Sequence, residues 1–157
     1  MSRHLRLRVG SGRLQAELIS HGQVTWAAEA DFDSADELEE AIATLAGELP
    51  PGRGVRADVV LLPPMLQLRH LHGIPPVRSQ RALDGMIASQ SSRFFRRNGH
   101  PLVTSARRVH RTGWFRKPAD TCMAAAVEQP WLDAIGAGLG AAGLGEGRIG
   151  VEGPKLG

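Results

Sequence analysis

The chain of 157 residues has a single cysteine, three tryptophans, four phenylalanines and no tyrosine. Cys122 has no partner for an internal disulfide, so no cross-link within the chain supports the fold. A small, buried position in a strand is the expected place for it. No apolar run approaches the roughly 20 residues that a helix needs to cross a bilayer. No signal-peptide pattern stands before the first predicted strand. A reducing cytoplasm is the expected setting. No nucleophile elbow and no HExxH-like spacing occurs, and there is no long repeat or low-complexity tract. His70 and His72 could share one face of a strand, but no third ligand follows at a recognisable interval. They are expected to be solvent-facing polar residues. No metal and no other cofactor is expected.

The charge has gaps of its own. From Glu29 to Glu48 there are eight acids and no Lys or Arg. From Arg69 to Lys117 there are eleven bases and one acid, Asp84. The net charge of +3 thus conceals an acidic stretch and a basic one. Such a split predicts two faces of opposite sign, the basic one suited to an anionic partner.

Leu5–Ala30 orders the rest. Three runs alternate apolar and polar residues there, separated by Gly10-Ser11-Gly12 and His21-Gly22. Period-two alternation broken by glycine predicts an antiparallel meander with strands near Leu5–Val9, Arg13–Ser20 and Gln23–Ala30. Ser34 with Glu37 reads as a capping box, the hydroxyl taking the Glu37 amide and the carboxylate the Ser34 amide. Leu38, Ala41, Ile42 and Leu45 then form one apolar stripe, which predicts a helix over Ala35–Ala46. Its acids complement the helix dipole, so they read as a solvated helix face.

Val55–Leu62 turns continuously apolar in its later half, as a central parallel strand does. Pro63-Pro64 turns the chain into a short strand, Met65–His72. Ser79 is the predicted N-cap of a second helix, Gln80–Arg96, with Arg93, Arg96 and Arg97 at its C-terminal end. Leu102–Phe115 has strand character and carries Arg107, Arg108 and Arg111. Thr121–Val127 is small and apolar, a second candidate for a buried parallel strand. Gln129-Pro130 opens a third helix. Gly136, Gly138 and Gly140 each weaken it by roughly 1 kcal/mol relative to Ala, so close packing on the sheet is expected to compensate. Gly143 is its predicted C′ residue, and Arg148–Val151 a last short strand.

This order is mixed α/β: an antiparallel meander extended by parallel strands, with helices on the sheet and a strand–helix–strand insert. The residues LRVGSGRLQAEL, VVLLPPMLQLRHLHGIPPV with the RFF helix, and TCMAAAVEQPWLDAIGAGLGAAGLGEGRIGV carry a resemblance. It is to the first half of the actin-like (ribonuclease H-like) ATPase fold, most similar to the pilus-assembly protein PilM and the type II secretion protein GspL. The resemblance implies one actin-like half domain over residues 1–152, an insert at about 65–117 and a tail at 153–157.

It also implies a role. PilM-like and GspL-like proteins are cytoplasmic components at the inner face of the bacterial inner membrane. The expected partners are other platform proteins, notably an inner-membrane protein or its cytoplasmic tail. ATP-binding members of the fold carry an Asp in the first hairpin turn. Here that position reads Gly10-Ser11-Gly12, which could still present amides to phosphate but also suits a hairpin for its φ freedom alone. The fold's second phosphate loop and adenosine pocket belong to its second half. A non-catalytic scaffold is the expected function, with a nucleotide-binding ATPase half as one alternative.

The other alternative is nucleic-acid binding, drawn from the basic stretch with Phe94, Phe95, Trp114 and Phe115 interleaved. Its bases are spread without a known motif, and the aromatics also suit a core. The basic insert, with Arg93, Arg96, Arg97, Arg107, Arg108 and Arg111, is the candidate contact for an acidic partner or anionic lipid headgroups.

Overall fold

A computed structural model describes residues 3–49, 55–72, 79–96, 99–108 and 122–151. The chain divides into two compact units, Met1–Met65 with Pro130–Glu152, and Leu66–Gln129 with Gly153–Gly157.

Unit 1 begins with the meander: β1 (Arg3–Val9), β2 (Arg13–Ser20) and β3 (Gln23–Asp31). His21 and Gly22 both take positive φ, 54° and 75°. That makes a two-residue turn whose twist matches the strands it joins. Then come α1 (Ala35–Gly47) and β4 (Arg56–Leu61), with α4 (Gln129–Ala141) and β8 (Gly145–Val151) after the second unit. The five strands lie in the order β3-β2-β1-β4-β8. β1 pairs antiparallel with β2 and parallel with β4, and β4 pairs parallel with β8. The sheet is therefore mixed, a meander extended by parallel strands.

Register builds the core. Ala57, Leu5, Leu18 and Trp26 fall in one row across four strands; Val59, Leu7, Ala16 and Ala28 in the next; Leu61, Val9, Leu14 and Ala30 in the third. All but the β3 members are buried. Against these rows α1 directs its buried Leu38, Ile42 and Leu45. β4 was expected to be covered on both faces, but it alternates buried Ala57, Val59 and Leu61 with half-buried Asp58 and Val60.

Ser34 caps α1 by accepting from the Glu37 amide at 3.2 Å. The Glu37 carboxylate reaches the Asp33 amide at 2.6 Å rather than that of Ser34. The reciprocal half of the box is thus made one residue earlier, on another amide just outside the helix. At the other end of unit 1, α4 closes with a Schellman motif. Gly143 has φ +72°, its amide donates to Gly140 O at 3.0 Å, and Leu144 donates to Leu139 O at 2.9 Å. The expectation that α4 packs closely against the sheet to offset its glycines is corrected at Gly138. A Cβ there would lie 2.8 Å from Glu39 O and 2.9 Å from Ile42 Cβ, both in α1. The close approach is between helices. Phe32 meets Trp131 edge-on, with centroids 5.6 Å apart.

Unit 2 holds β5 (Gln67–Leu71), α2 (Gln80–Ser89), α3 (Ser91–Phe94), β6 (Leu102–Arg108) and β7 (Cys122–Glu128). Its sheet has the order β5-β7-β6. The parallel strand expected at Thr121–Val127 is corrected here: β7 is buried and central, but antiparallel to both neighbours. Small residues report burial between two layers, and they carry no information on strand direction. This unit runs from Leu66 to Gln129, beyond the insert expected at about 65–117, because β7 completes its sheet.

The helix predicted over Gln80–Arg96 is interrupted at Gln90, where φ is −112° and ψ 19°. Ser89 Oγ donates to Met86 O at 2.9 Å, and serine hydroxyls of this kind compete for helix carbonyls. Leu83, Ile87, Phe95, Ala106, Cys122, Ala124 and Ala126 form the buried cluster of this unit. Cys122 is wholly buried in β7, as expected of it.

Candidate functional site

The Gly10–Gly12 turn is built as a hairpin closure. The Gly10 amide donates to Arg13 O at 2.9 Å, so this group is already used inside the turn. Gly12 takes φ +81°, which a side chain would strain, and its carbonyl accepts from Phe32 at 3.1 Å. Leu62 donates to Val9 O at 2.9 Å, continuing the β4 ladder to the turn's edge. Ser11 is exposed. These bonds account for both glycines without a ligand.

The basic side chains are distributed rather than gathered. Arg93 lies on α3 and is exposed, its guanidinium 3.3 Å from Gln90 Oε1. Arg96 follows the helix in extended chain. Its amide donates to Gln67 Oε1 at 2.8 Å, and Gln67 Nε2 returns a bond to Arg96 O at 2.9 Å. Arg69 Nε donates to Phe94 O at 3.0 Å. Side chains of β5 therefore hold the segment that carries Arg93 and Arg96. Arg107, exposed, and Arg108 belong to β6, at the opposite edge of the three-stranded sheet. Arg97 and Arg111 lie outside the described residues, as do Trp114, Phe115 and the tail at 153–157.

Asp84, the one acid of the basic stretch, has a structural role. It accepts from the Ala106 amide at 2.9 Å and from Gln80 Nε2 at 3.0 Å, while Gln80 Nε2 also reaches Ala106 O. Together they tie α2 to β6. His70 and His72 are exposed, with ring centroids 4.6 Å apart and planes inclined by 58°. Among the described residues no three His, Cys, Asp or Glu come together as a metal site.

One feature was not legible in the sequence. A groove of about 270 Å³ lies between β3 and α1, lined by Ala30, Asp31, Glu37, Glu40, Ala41, Thr44 and Leu45. The acids that read as a solvated helix face thus also border a concavity that Ala30, Ala41, Thr44 and Leu45 help to line. The acid-rich run signalled charge, but the groove depends on how α1 crosses β3.

No protein-family model matches the chain, and no curated protein does. Solved structures match over nearly all of it. The cytoplasmic domain of EpsL, an inner-membrane component of the type II secretion system of Vibrio cholerae, is 18% identical with a TM-score of 0.63, over 98% of this chain and 61% of that one. A PilM–PilN type IV pilus biogenesis complex gives 18% identity and a TM-score of 0.65, over 95% and 47%. A Bacteroides thetaiotaomicron protein of unknown function with an actin-like ATPase fold gives 8% and 0.52, over 96% and 52%. The fold is therefore the actin-like one. Within it, the chain is similar in architecture to the EpsL cytoplasmic domain and to the PilM–PilN structure, and spans about half to three-fifths of the chains it matches.

Proposed function

We propose that this chain is a non-catalytic assembly module: the actin-like part of a platform of the type IV pilus or type II secretion kind, binding partner proteins at the inner face of the bacterial inner membrane. The likeness over nearly the whole chain to EpsL and the PilM–PilN complex carries this reading. The first hairpin supports it. Its turn has no Asp to organise a metal-bound phosphate, and the Gly10 amide is spent on the hairpin itself. Residues 1–152 then make up one actin-like half. Arg93, Arg96, Arg97, Arg107, Arg108 and Arg111 are its contact for an acidic partner or lipid headgroup. No helix among the described residues is long and apolar enough to cross a membrane.

The test is co-purification of the full reading frame's product with the cytoplasmic tail of a membrane protein encoded beside it. Retention of that tail supports the reading. Failure to retain it, together with tight Mg²⁺–ATP binding by calorimetry, would replace the scaffold with a nucleotide-binding role. Reversing Arg93, Arg96 and Arg97 together to Glu should weaken retention while leaving the melting temperature nearly unchanged.

A further inference from the structure

β3 forms a free edge of the unit 1 sheet. β3 ends its sheet, and among the described residues no strand pairs with its outer side. Such an edge presents alternate N–H and C=O groups to any extended chain. Proteins commonly blunt edges with short strands, charged side chains, proline or β-bulges. β3 is nine residues long, has no Lys or Pro, and confines its charges to Glu29 and Asp31 near one end. Thr25, Trp26, Ala27 and Ala28 carry no charge, and the one irregularity is a register shift opposite Leu18/Ile19. Val24, 54% exposed, is the large apolar side chain left in solvent among the described residues. Ala27, Ala28 and Ala30 are small, so side chains of an added strand would find room on either face.

The groove beside this strand sets the chemistry of what would lie there. β3 alone supplies its sheet wall, through Ala30 and Asp31. Asp31, Glu37 and Glu40 are its charged lining, and no lining residue is basic, although Arg13 of β2 lies 3.9 Å from Asp31 and 3.4 Å from Glu29. The Glu37 carboxylate is held in place by its bond to the Asp33 amide. A two-fold pairing of β3 with a second copy would bring Glu29 and Asp31 against strands with no Lys or Arg. Such a pairing offers these carboxylates no cation from the second copy, whereas a basic segment would supply one.

We propose that the free edge of β3 docks an extended basic segment of a partner protein, which adds to the sheet as a further strand and lays a Lys or Arg over Asp31, Glu37 and Glu40. Backbone pairing supplies affinity in such strand addition, and side-chain pockets supply selectivity. This goes beyond the platform reading, because it rests on unit 1 alone and holds whichever system the protein serves.

A fluorescein-labelled peptide of about eight residues alternating Lys and Val, long enough to cover a strand, is titrated with the full chain and followed by anisotropy. Saturable binding is expected, with amide exchange slowed over Val24–Asp31. Asp31→Lys with Glu40→Lys should lower the affinity roughly tenfold, since like charges then face each other. The same peptide N-methylated at alternate residues should not bind, nor should its Glu-for-Lys counterpart; these two arms stand even if the double variant fails to fold. Equal binding of the N-methylated peptide, indifference to charge, no saturable binding, or dimerisation of the free chain through β3 would each overturn the proposal.

Discussion

Gly138 and Gly140 sit in the same turn of α4 yet meet different surroundings. The first faces the α1 backbone closely enough that a methyl group would collide; the second has nothing within 4 Å. Gly138→Ala should therefore destabilise the protein by about 1–3 kcal/mol through overpacking. Gly140→Ala should stabilise it by about 0.5–1 kcal/mol, because alanine loses less backbone entropy in a helix. Urea denaturation of both variants checks this, and shifts of the same sign would refute the helix–helix contact. Ser34→Ala should cost about 1 kcal/mol by leaving the Glu37 amide without its cap, read from the same curves. Ser34, His21-Gly22 and Gly143 were legible in the sequence because their reasons are local. The reason for Gly138 lies nearly a hundred residues away, in Glu39 and Ile42, and no local pattern encodes it.

At the scale of elements, pattern gave burial and period, while pairing came from tertiary context. The meander was legible because two glycine turns separate three alternating runs, but the register shift at Leu18/Ile19 was not. β7 was legible as a buried strand, but the same Ala-rich run fits a parallel or an antiparallel sheet, and β5 and β6 decided it. The break at Gln90 was not legible, because the apolar spacing of Leu83, Met86, Ile87 and Phe94 runs on through it. The link between α2 and β6 makes a further prediction. Asp84→Ala removes the acceptor of the Ala106 amide and should cost about 1.5–3 kcal/mol, as bonds to charged groups do. Hydrogen exchange should quicken at Ala106 in that variant, while exchange at Leu7 in the other unit should stay slow.

Across the whole molecule the acidic and basic stretches separate by unit: Glu29–Glu48 lies in unit 1 and Arg69–Lys117 in unit 2. An anionic partner or surface recognised by unit 2 should be released by salt. Binding to phosphatidylglycerol vesicles should fall steeply as the Debye length drops from about 10 Å at 0.1 M to about 3 Å at 1 M. Binding that survives high salt would assign the contact to apolar groups. The topology also bears on how the chain acquires its structure. β4 must find β8 across unit 2, with Arg56 paired to Gly145. Within unit 2, however, Gln67 pairs with Ala126, so its two ends lie side by side once it has formed. Early formation of unit 2 would shorten the loop closed by β4–β8 pairing from about 90 residues to about 30, lowering its entropic cost by about 1 kcal/mol. The second unit would then act as a folding staple for the first. Ile87→Ala, buried in unit 2, should slow the burial of Trp26 and Trp131 in stopped-flow refolding, although both tryptophans belong to unit 1.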